Sequence, residues 1–428
     1  MTLMLIGGLF LFIALGVPVA FAMMLTSLLY IIVHGDIPLI VVAQQVSVGT
    51  DKYLLLSIPF FFLAAELMSS GGILKQMVRL ATAVVGPIRG GLGHMNVVAN
   101  MIMAGMSGSA VADAAGLGKL AVQLMKEGGY GVGFAAAITA AASTIGPIIP
   151  PSIPMVIYGG IAGVSVGRLF LGGIVPGLLM GAFLMVAVYW IAKRRGYRKE
   201  PRVTIRALAC EFWRSIPVLV LPLIILGGIL TGVFTPTESS VVAVVYAFLI
   251  GSFLLRVLQP GHLVEGLIKV AVETARIMLI IASGTLFAWI LARQGVPQEL
   301  ARGFLSVSSE PWVILVMVNG LLLLLGFIME PISILVVLVP VFSPLIHAAG
   351  IDPVHFGVVI ILTLMIGLIH PPVGIVMFVI MSITGITVEE FTREILPFLV
   401  ALFTVVLLLI CFPSLVLFVP DLVMGRSL

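Results

Sequence analysis

The chain has 428 residues, 61% of them hydrophobic and 9% charged, with a formal net charge of +4. Soluble domains carry about 25% charged residues, so the composition argues against a soluble enzyme and for a polytopic membrane protein with little mass outside the bilayer. The basic residues gather at the edges of apolar runs, which is not a nucleic-acid surface, and Cys210 and Cys411 are too few and too far apart for a disulfide framework or a metal cluster.

The first apolar run, 2–33, is divided at Gly16-Val17-Pro18 into helices over 2–15 and 18–33, or forms one long kinked helix. No basic n-region precedes it and further spans follow, so it reads as a span and not a cleaved signal peptide. Residues 37–52 form an interfacial arm and 54–70 a third span. A weaker region, 71–91, carries Lys75, Arg79 and Arg89. Two apolar arms, 92–107 and 109–125, then flank Ser107-Gly108-Ser109. Each arm has roughly 16 residues, about 24 Å long at 1.5 Å per residue. The hydrocarbon core is roughly 30 Å thick, so 92–125 is predicted to be a re-entrant hairpin.

The run from 131 to 163 is long enough to cross a bilayer, yet its centre reads Ser143-Thr-Ile-Gly-Pro-Ile-Ile-Pro-Pro-Ser152. Pro150 and Pro151 lack N–H groups and clash with a helical turn, so the helix stops and restarts. Lipid cannot satisfy the backbone groups this exposes, so such a break survives only inside protein or beside a watery cavity. A plain span follows at 169–192. Residues 193–214 are the strongly polar stretch, with eight lysines and arginines.

The pattern then restarts. Spans fall at 216–233 and 236–256, an arm at 261–275 and a span at 276–293. A second hairpin, 312–348, turns at Met329-Glu330-Pro331. A second broken helix, 354–386, contains Ile366-Gly-Leu-Ile-His-Pro-Pro-Val-Gly374, and a last span covers 395–419. Gly367 and Pro371-Pro372 correspond to Gly146 and Pro150-Pro151. Paired interrupted spans in two halves of a chain point to a transporter binding site. Each half makes five crossings, an odd number, and the linker does not cross. The fold predicted is therefore an all-α polytopic membrane protein of two inverted repeats, 1–192 and 215–428, joined by the basic linker 193–214. Sixteen of the 22 lysines and arginines fall on the linker side, which puts the linker in the cytoplasm and both termini outside.

Ser107, Ser109, Ser143, Thr144 and Ser152 bring hydroxyls to the first tip and first break. Hydroxyls and unwound carbonyls suit a desolvated monovalent cation, while half-helix N-termini favour an anion such as a carboxylate. The alternative is that these side chains bond back to their own helices at small-residue interfaces. Glu330 at the second tip either stabilises a cation, pairs with a base or caps the second arm, and Asp113 on the first hairpin has the same functional and structural readings. His370 either takes a proton or contacts substrate, or satisfies a freed carbonyl. Glu66 is expected to snorkel to the interface and Glu238 to complement a helix dipole. No phosphate-binding Gly-x-x-x-x-Gly-Lys-Ser/Thr occurs, so energy is expected from a gradient or a partner.

Met106-Ser107-Gly108-Ser109-Ala110, Gly146-Pro147-Ile148-Ile149-Pro150-Pro151-Ser152, Phe234-Thr235-Pro236-Thr237-Glu238, Gly326-Phe327-Ile328-Met329-Glu330-Pro331 and His370-Pro371-Pro372-Val373-Gly374 resemble the large membrane subunit, DctM type, of tripartite ATP-independent periplasmic (TRAP) transporters. The resemblance covers essentially the whole chain. It implies sodium-driven import of an organic anion, such as a C4-dicarboxylate, another carboxylate or a sialic acid, across the bacterial inner membrane. It also implies a small DctQ-type membrane subunit, a periplasmic DctP-type substrate-binding protein and an elevator-like motion. No span precedes the first, so the small subunit is expected as a separate chain. A stand-alone sodium- or proton-coupled carboxylate transporter of the same superfamily is the alternative, and an intramembrane enzyme using Glu330 and His370 is a more distant one.

The coupling ions are expected at two places. The first sodium site takes Ser107, Gly108, Ser109, Ser143, Thr144 and Gly146, and the second Gly326, Glu330, Gly367, His370 and Gly374. Substrate is expected against Ser107, Pro150, Pro151, Ser152, Pro371 and Pro372. Many relatives carry threonine where this chain has His370. An imidazole is a poorer sodium ligand, which shifts the second site toward carbonyls around Gly326 and Gly367.

Overall fold

The computed structural model describes residues 2–69, 71–201, 203–255, 258 and 260–425. Ser70, Arg202, Arg256 and Arg426, which enter the sequence reading of spans and charge, lie outside the described residues. Those that are described form an all-helical protein.

The chain opens with α1 (Thr2–Ala14), α2 (Val19–His34) and α3 (Ile40–Thr50). A 3-10 turn at Tyr53–Leu56 leads into α4 (Ser57–Met68), and the chain bends by 58° between α3 and this segment. The region 71–91, weak in the sequence, contains the helix α5 (Gly71–Val85). Its lysine and arginine sit on one face while Ile73, Leu74, Met77 and Val78 are buried, so it is an amphipathic helix and not a loop. The first hairpin is α6 (Gly91–Ser107) with a second arm divided at Gly116 into α7 (Ala110–Ala115) and α8 (Leu117–Glu127).

The first interrupted helix is α9 (Val132–Ser143) and α10 (Ile153–Ala162), followed by α11 (Val166–Arg195). Helices run into both ends of the stretch expected to be a polar linker, since α11 ends at Arg195 and α12 (Ile205–Leu230) begins near its middle. Lysines and arginines in a last helical turn favour the helix dipole, so charge there extends α11 into the aqueous layer and does not end it. Next come α13 (Pro236–Leu249), extended by a π turn at Ile250–Leu254, and α14 (Pro260–Arg293). The arm 261–275 and span 276–293 are one continuous helix. Glu273 and Arg276, which mark the expected boundary, face each other one turn apart at 3.9 Å.

Helix α15 (Val296–Val307) was not expected. The second hairpin is α16 (Pro311–Gly326) and α17 (Pro331–Ala348), and the second interrupted helix α18 (Pro353–Gly367) and α19 (Ile375–Thr384). The last span, expected as one piece, is α20 (Val388–Cys411) and α21 (Ser414–Met424), separated at Phe412-Pro413.

Six of the described helices are each long and apolar enough to cross a membrane. Helices α9 and α18 are buried along nearly their whole lengths. Their interrupted ends therefore lie inside protein, one of the two settings in which a bilayer tolerates them. Helices α6, α8 and α20 pack on α9, and α11, α16 and α20 on α18; elsewhere α13 packs on α4, α12 on α5, and α14 on α2, α3 and α17.

Candidate ion and substrate site

The first break and first hairpin tip are in contact. After Ser107 ends α6, Gly108 turns the chain with φ +59°, a conformation natural to glycine. A Cβ on Gly108 would lie 2.6 Å from the Pro151 carbonyl oxygen and 3.3 Å from the Ile153 nitrogen. The tip therefore seats against the break at the one residue that has no side chain. Ser109 then caps α7, its hydroxyl accepting from the Ala112 N–H at 3.4 Å. Ser152 caps α10 by accepting from the Met155 N–H at 3.2 Å, and its own hydroxyl donates to the Pro147 carbonyl.

The other hydroxyls at the break hold their own helix. Ser143 donates to the Ala140 carbonyl at 2.8 Å and Thr144 to the Ala141 carbonyl at 2.7 Å. Both keep acceptor lone pairs. The Ser107 hydroxyl is different: it is buried and has no hydrogen-bond partner among the described residues. It faces Asp113, whose side chain is wholly buried. A Cβ on Gly146 would collide with Asp113 Oδ2. Asp113 is thus not a cap, since Ser109 fills that role. It reaches across from the hairpin to the break.

At the second break the backbones approach each other directly. A Cβ on Gly326 would lie 3.6 Å from the Gly367 Cα, and one on Gly374 would strike the Leu368 carbonyl. His370 turns elsewhere. Its Nδ1 lies 2.5 Å from the Pro371 carbonyl oxygen, to which it donates. Its ring packs between Phe327 and Phe403, at centroid distances of 5.0 and 6.2 Å. Glu330 precedes α17, with Oε1 buried and without a hydrogen-bond partner among the described residues.

Between the two halves lies a pocket of about 100 Å³, lined by Gly108, Ser109, Pro147, Ile153, Glu330 and Ile375 among others. The residues expected to meet substrate, Ser107, Pro150, Pro151, Ser152, Pro371 and Pro372, are not in its lining; Gly108 and Ile153, next to Ser107 and Ser152, are. The first turns of α7, α10, α17 and α19 all reach it, through Ser109–Val111, Ile153-Pro154, Pro331-Ile332 and Ile375. Among the described residues lining it there is no lysine, arginine or histidine. Its polar groups are the Ser109 hydroxyl, the Glu330 carboxyl and backbone groups at the helix starts; the N–H groups there favour negative charge, and Glu330 opposes it.

The fit to a desolvated cation rests on the tip and break of the first half. The C-terminal carbonyls of α6 and α9, the Ser107 hydroxyl and the Asp113 carboxylate are all hard oxygen donors. Gly108 and Gly146 leave the space that close approach needs. Away from this site, Glu66 accepts from Lys269 Nζ at 2.7 Å. Thr235 and Glu238 form a reciprocal helix cap, with N–H to side-chain oxygen distances of 2.8 and 3.2 Å.

An all-helical membrane protein whose interrupted helices and hairpin tips meet at one pocket is, by class, a transporter permease and not an enzyme. The chain belongs to the tripartite ATP-independent periplasmic transporter family, DctM component, which it matches over residues 6–415. It is 42% identical to the sialic acid TRAP transporter large permease protein SiaM of Vibrio cholerae, covering 96% of each chain. It is 39% identical to the C4-dicarboxylate TRAP transporter large permease protein DctM of Pseudomonas aeruginosa, over 87% of each. It is 36% identical to the 2,3-diketo-L-gulonate TRAP transporter large permease protein YiaN of Escherichia coli, over 96% of each. In fold it is similar to the Alcanivorax borkumensis YdaH transporter, with a TM-score of 0.63 at 15% identity over 87% of each chain. It is likewise similar to Neisseria gonorrhoeae MtrF, with a TM-score of 0.61 at 13% identity, covering 90% of this chain and 84% of that one.

Proposed function

We propose that this permease subunit imports an organic anion across the bacterial inner membrane, driven by sodium, as two inverted repeats that carry the pocket in an elevator-like motion. A small membrane subunit braces it, and a periplasmic binding protein delivers the substrate. The observation that carries the reading is the pocket itself. Four helix starts converge on it without a basic side chain, so a carboxylate can be held by the backbone N–H groups there that remain unbonded, against the one lining carboxyl, Glu330, and released without breaking an ion pair. Three of those helices, α10, α17 and α19, have ten or more residues.

The paired interior bonds support the repeat. Asn96 on α6 donates to Thr139 on α9 at 2.6 Å, and Thr363 on α18 donates to Asn319 on α16. In each half a buried asparagine on the first hairpin arm is tied to a threonine on the first half of the broken helix. The oxygen-rich contact of tip and break supports sodium as the coupling ion, with the first site at Ser107–Ser109 and Ser143–Gly146 and a second around Gly326, Gly367 and Gly374.

Reconstitution tests the tripartite assembly. Purified chain in proteoliposomes should take up the anion only when the small subunit is co-reconstituted and the loaded binding protein is outside. Uptake of free substrate by the chain alone would replace this reading with the stand-alone one.

A further inference from the structure

Asp113 stands out in the interior. Its side chain is 0% exposed, and both carboxylate oxygens lack a hydrogen-bond partner among the described residues. The ion pairs among the described residues involve other groups. Around Asp113 stand the Ser107 hydroxyl and the α-carbon of Gly146. Both belong to the tip and break that meet at Gly108.

A buried carboxylate without a cation is costly, and removing water from a bare monovalent cation is costly too. Each cost falls if the two are buried together. We infer that Asp113 supplies the fixed negative charge of the first cation site, closing on the same ion as the Ser107 hydroxyl and the carbonyls at the end of α9. This inference rests on the sodium reading above and adds to it a residue and a charge balance. Ion and carboxylate travel as a neutral pair, so one coupling ion can cross inside the moving region without an exposed net charge. Gly146 then has a second role: any side chain there occupies the place of the Asp113 oxygen.

The test is a sodium titration of the purified full chain in detergent, read as thermal stability against choline at equal ionic strength. Wild-type protein should gain stability with sodium. Asp113→Asn keeps the size of the side chain and should raise the half-stabilising sodium concentration by roughly 10- to 150-fold, the worth of one contact to a charged group. Its melting temperature in choline should not fall, because a buried charge without a partner has been removed. Ser107→Ala serves as a control that retains the carboxylate and should also weaken the sodium response. Wild-type sodium affinity in Asp113→Asn, with Ser107→Ala weakened, overturns the role of Asp113 and leaves the sodium site standing. No sodium response in wild-type protein overturns both. Should Asp113→Asn fail to fold, Gly146→Ala keeps the carboxylate but drives a methyl group onto it; unchanged sodium affinity in that variant overturns the inference as well.

Discussion

Gly108→Ala probes the meeting of tip and break with a single methyl group. The alanine is strained twice. Its φ of +59° is a left-handed conformation, which costs an L-residue about 1–2 kcal/mol. Its Cβ would also lie 2.6 Å from the Pro151 carbonyl oxygen. Close C···O contacts in proteins settle near 3.3 Å or more, so the tip must retreat from the break by about 0.7 Å. Binding constellations need their groups held within about 0.5 Å. The retreat therefore removes at least one oxygen from an ion shared by the two elements, about 1.5–3 kcal/mol for a contact to a charged group. That corresponds to roughly 10- to 150-fold in sodium affinity. The assay is initial uptake rate in proteoliposomes as a function of external sodium, with the binding protein saturated. The half-saturating sodium concentration should rise by that factor while the binding protein's own affinity for substrate stays unchanged. A folded Gly108→Ala protein with wild-type sodium dependence would refute the shared site.

Further expectations follow from other parts of the molecule. His370→Thr replaces the imidazole at the second break with a hydroxyl, a better sodium ligand, and the half-saturating sodium concentration should fall; an unchanged value argues against a second ion there. Thr235→Ala removes the hydroxyl of the cap on α13 and should cost about 0.5–2 kcal/mol of stability, seen as a lower melting temperature, with sodium dependence unaltered. For topology, in a background with the exposed Cys210 and Cys411 replaced, cysteine at the exposed Arg198 should react with a membrane-impermeant reagent only from the cytoplasm. Cysteine at the exposed Ala348 should react only from the periplasm; labelling of both from one face contradicts the inverted repeats.

The interruptions were legible in the sequence because proline and glycine act locally. Pro150-Pro151 and Pro371-Pro372 stop helices wherever they fall, and Gly108 marks a turn without reference to its neighbours. The helix start at Glu238 was legible for the same reason, since Pro236 precedes it directly; its reciprocal cap with Thr235 was not read. The amphipathic helices α5 and α15 were missed because a search for spans looks for unbroken apolar runs, and each of these helices mixes apolar and charged residues. The cut placed inside α14 at 275/276 falls where Glu273 and Arg276 interrupt the apolar run, and one helical turn brings the two together. Least legible was the juxtaposition of Asp113 with Gly146. It joins a hairpin arm to a break in the next helix, and no spacing along the chain reveals it. The aspartate itself was visible as an apolar-context carboxylate; its target was not. The direction of His370 was hidden likewise, since its aromatic neighbours Phe327 and Phe403 come from other helices.

Sodium coupling is tested most directly by following the ion itself. Proteoliposomes holding the chain and its small subunit would be mixed with loaded binding protein, and entry of radioactive sodium measured alongside entry of substrate. The two should rise together, with sodium entry absent when the binding protein is empty and substrate entry absent when choline replaces sodium. Substrate accumulation at the full rate without sodium entry would contradict the account.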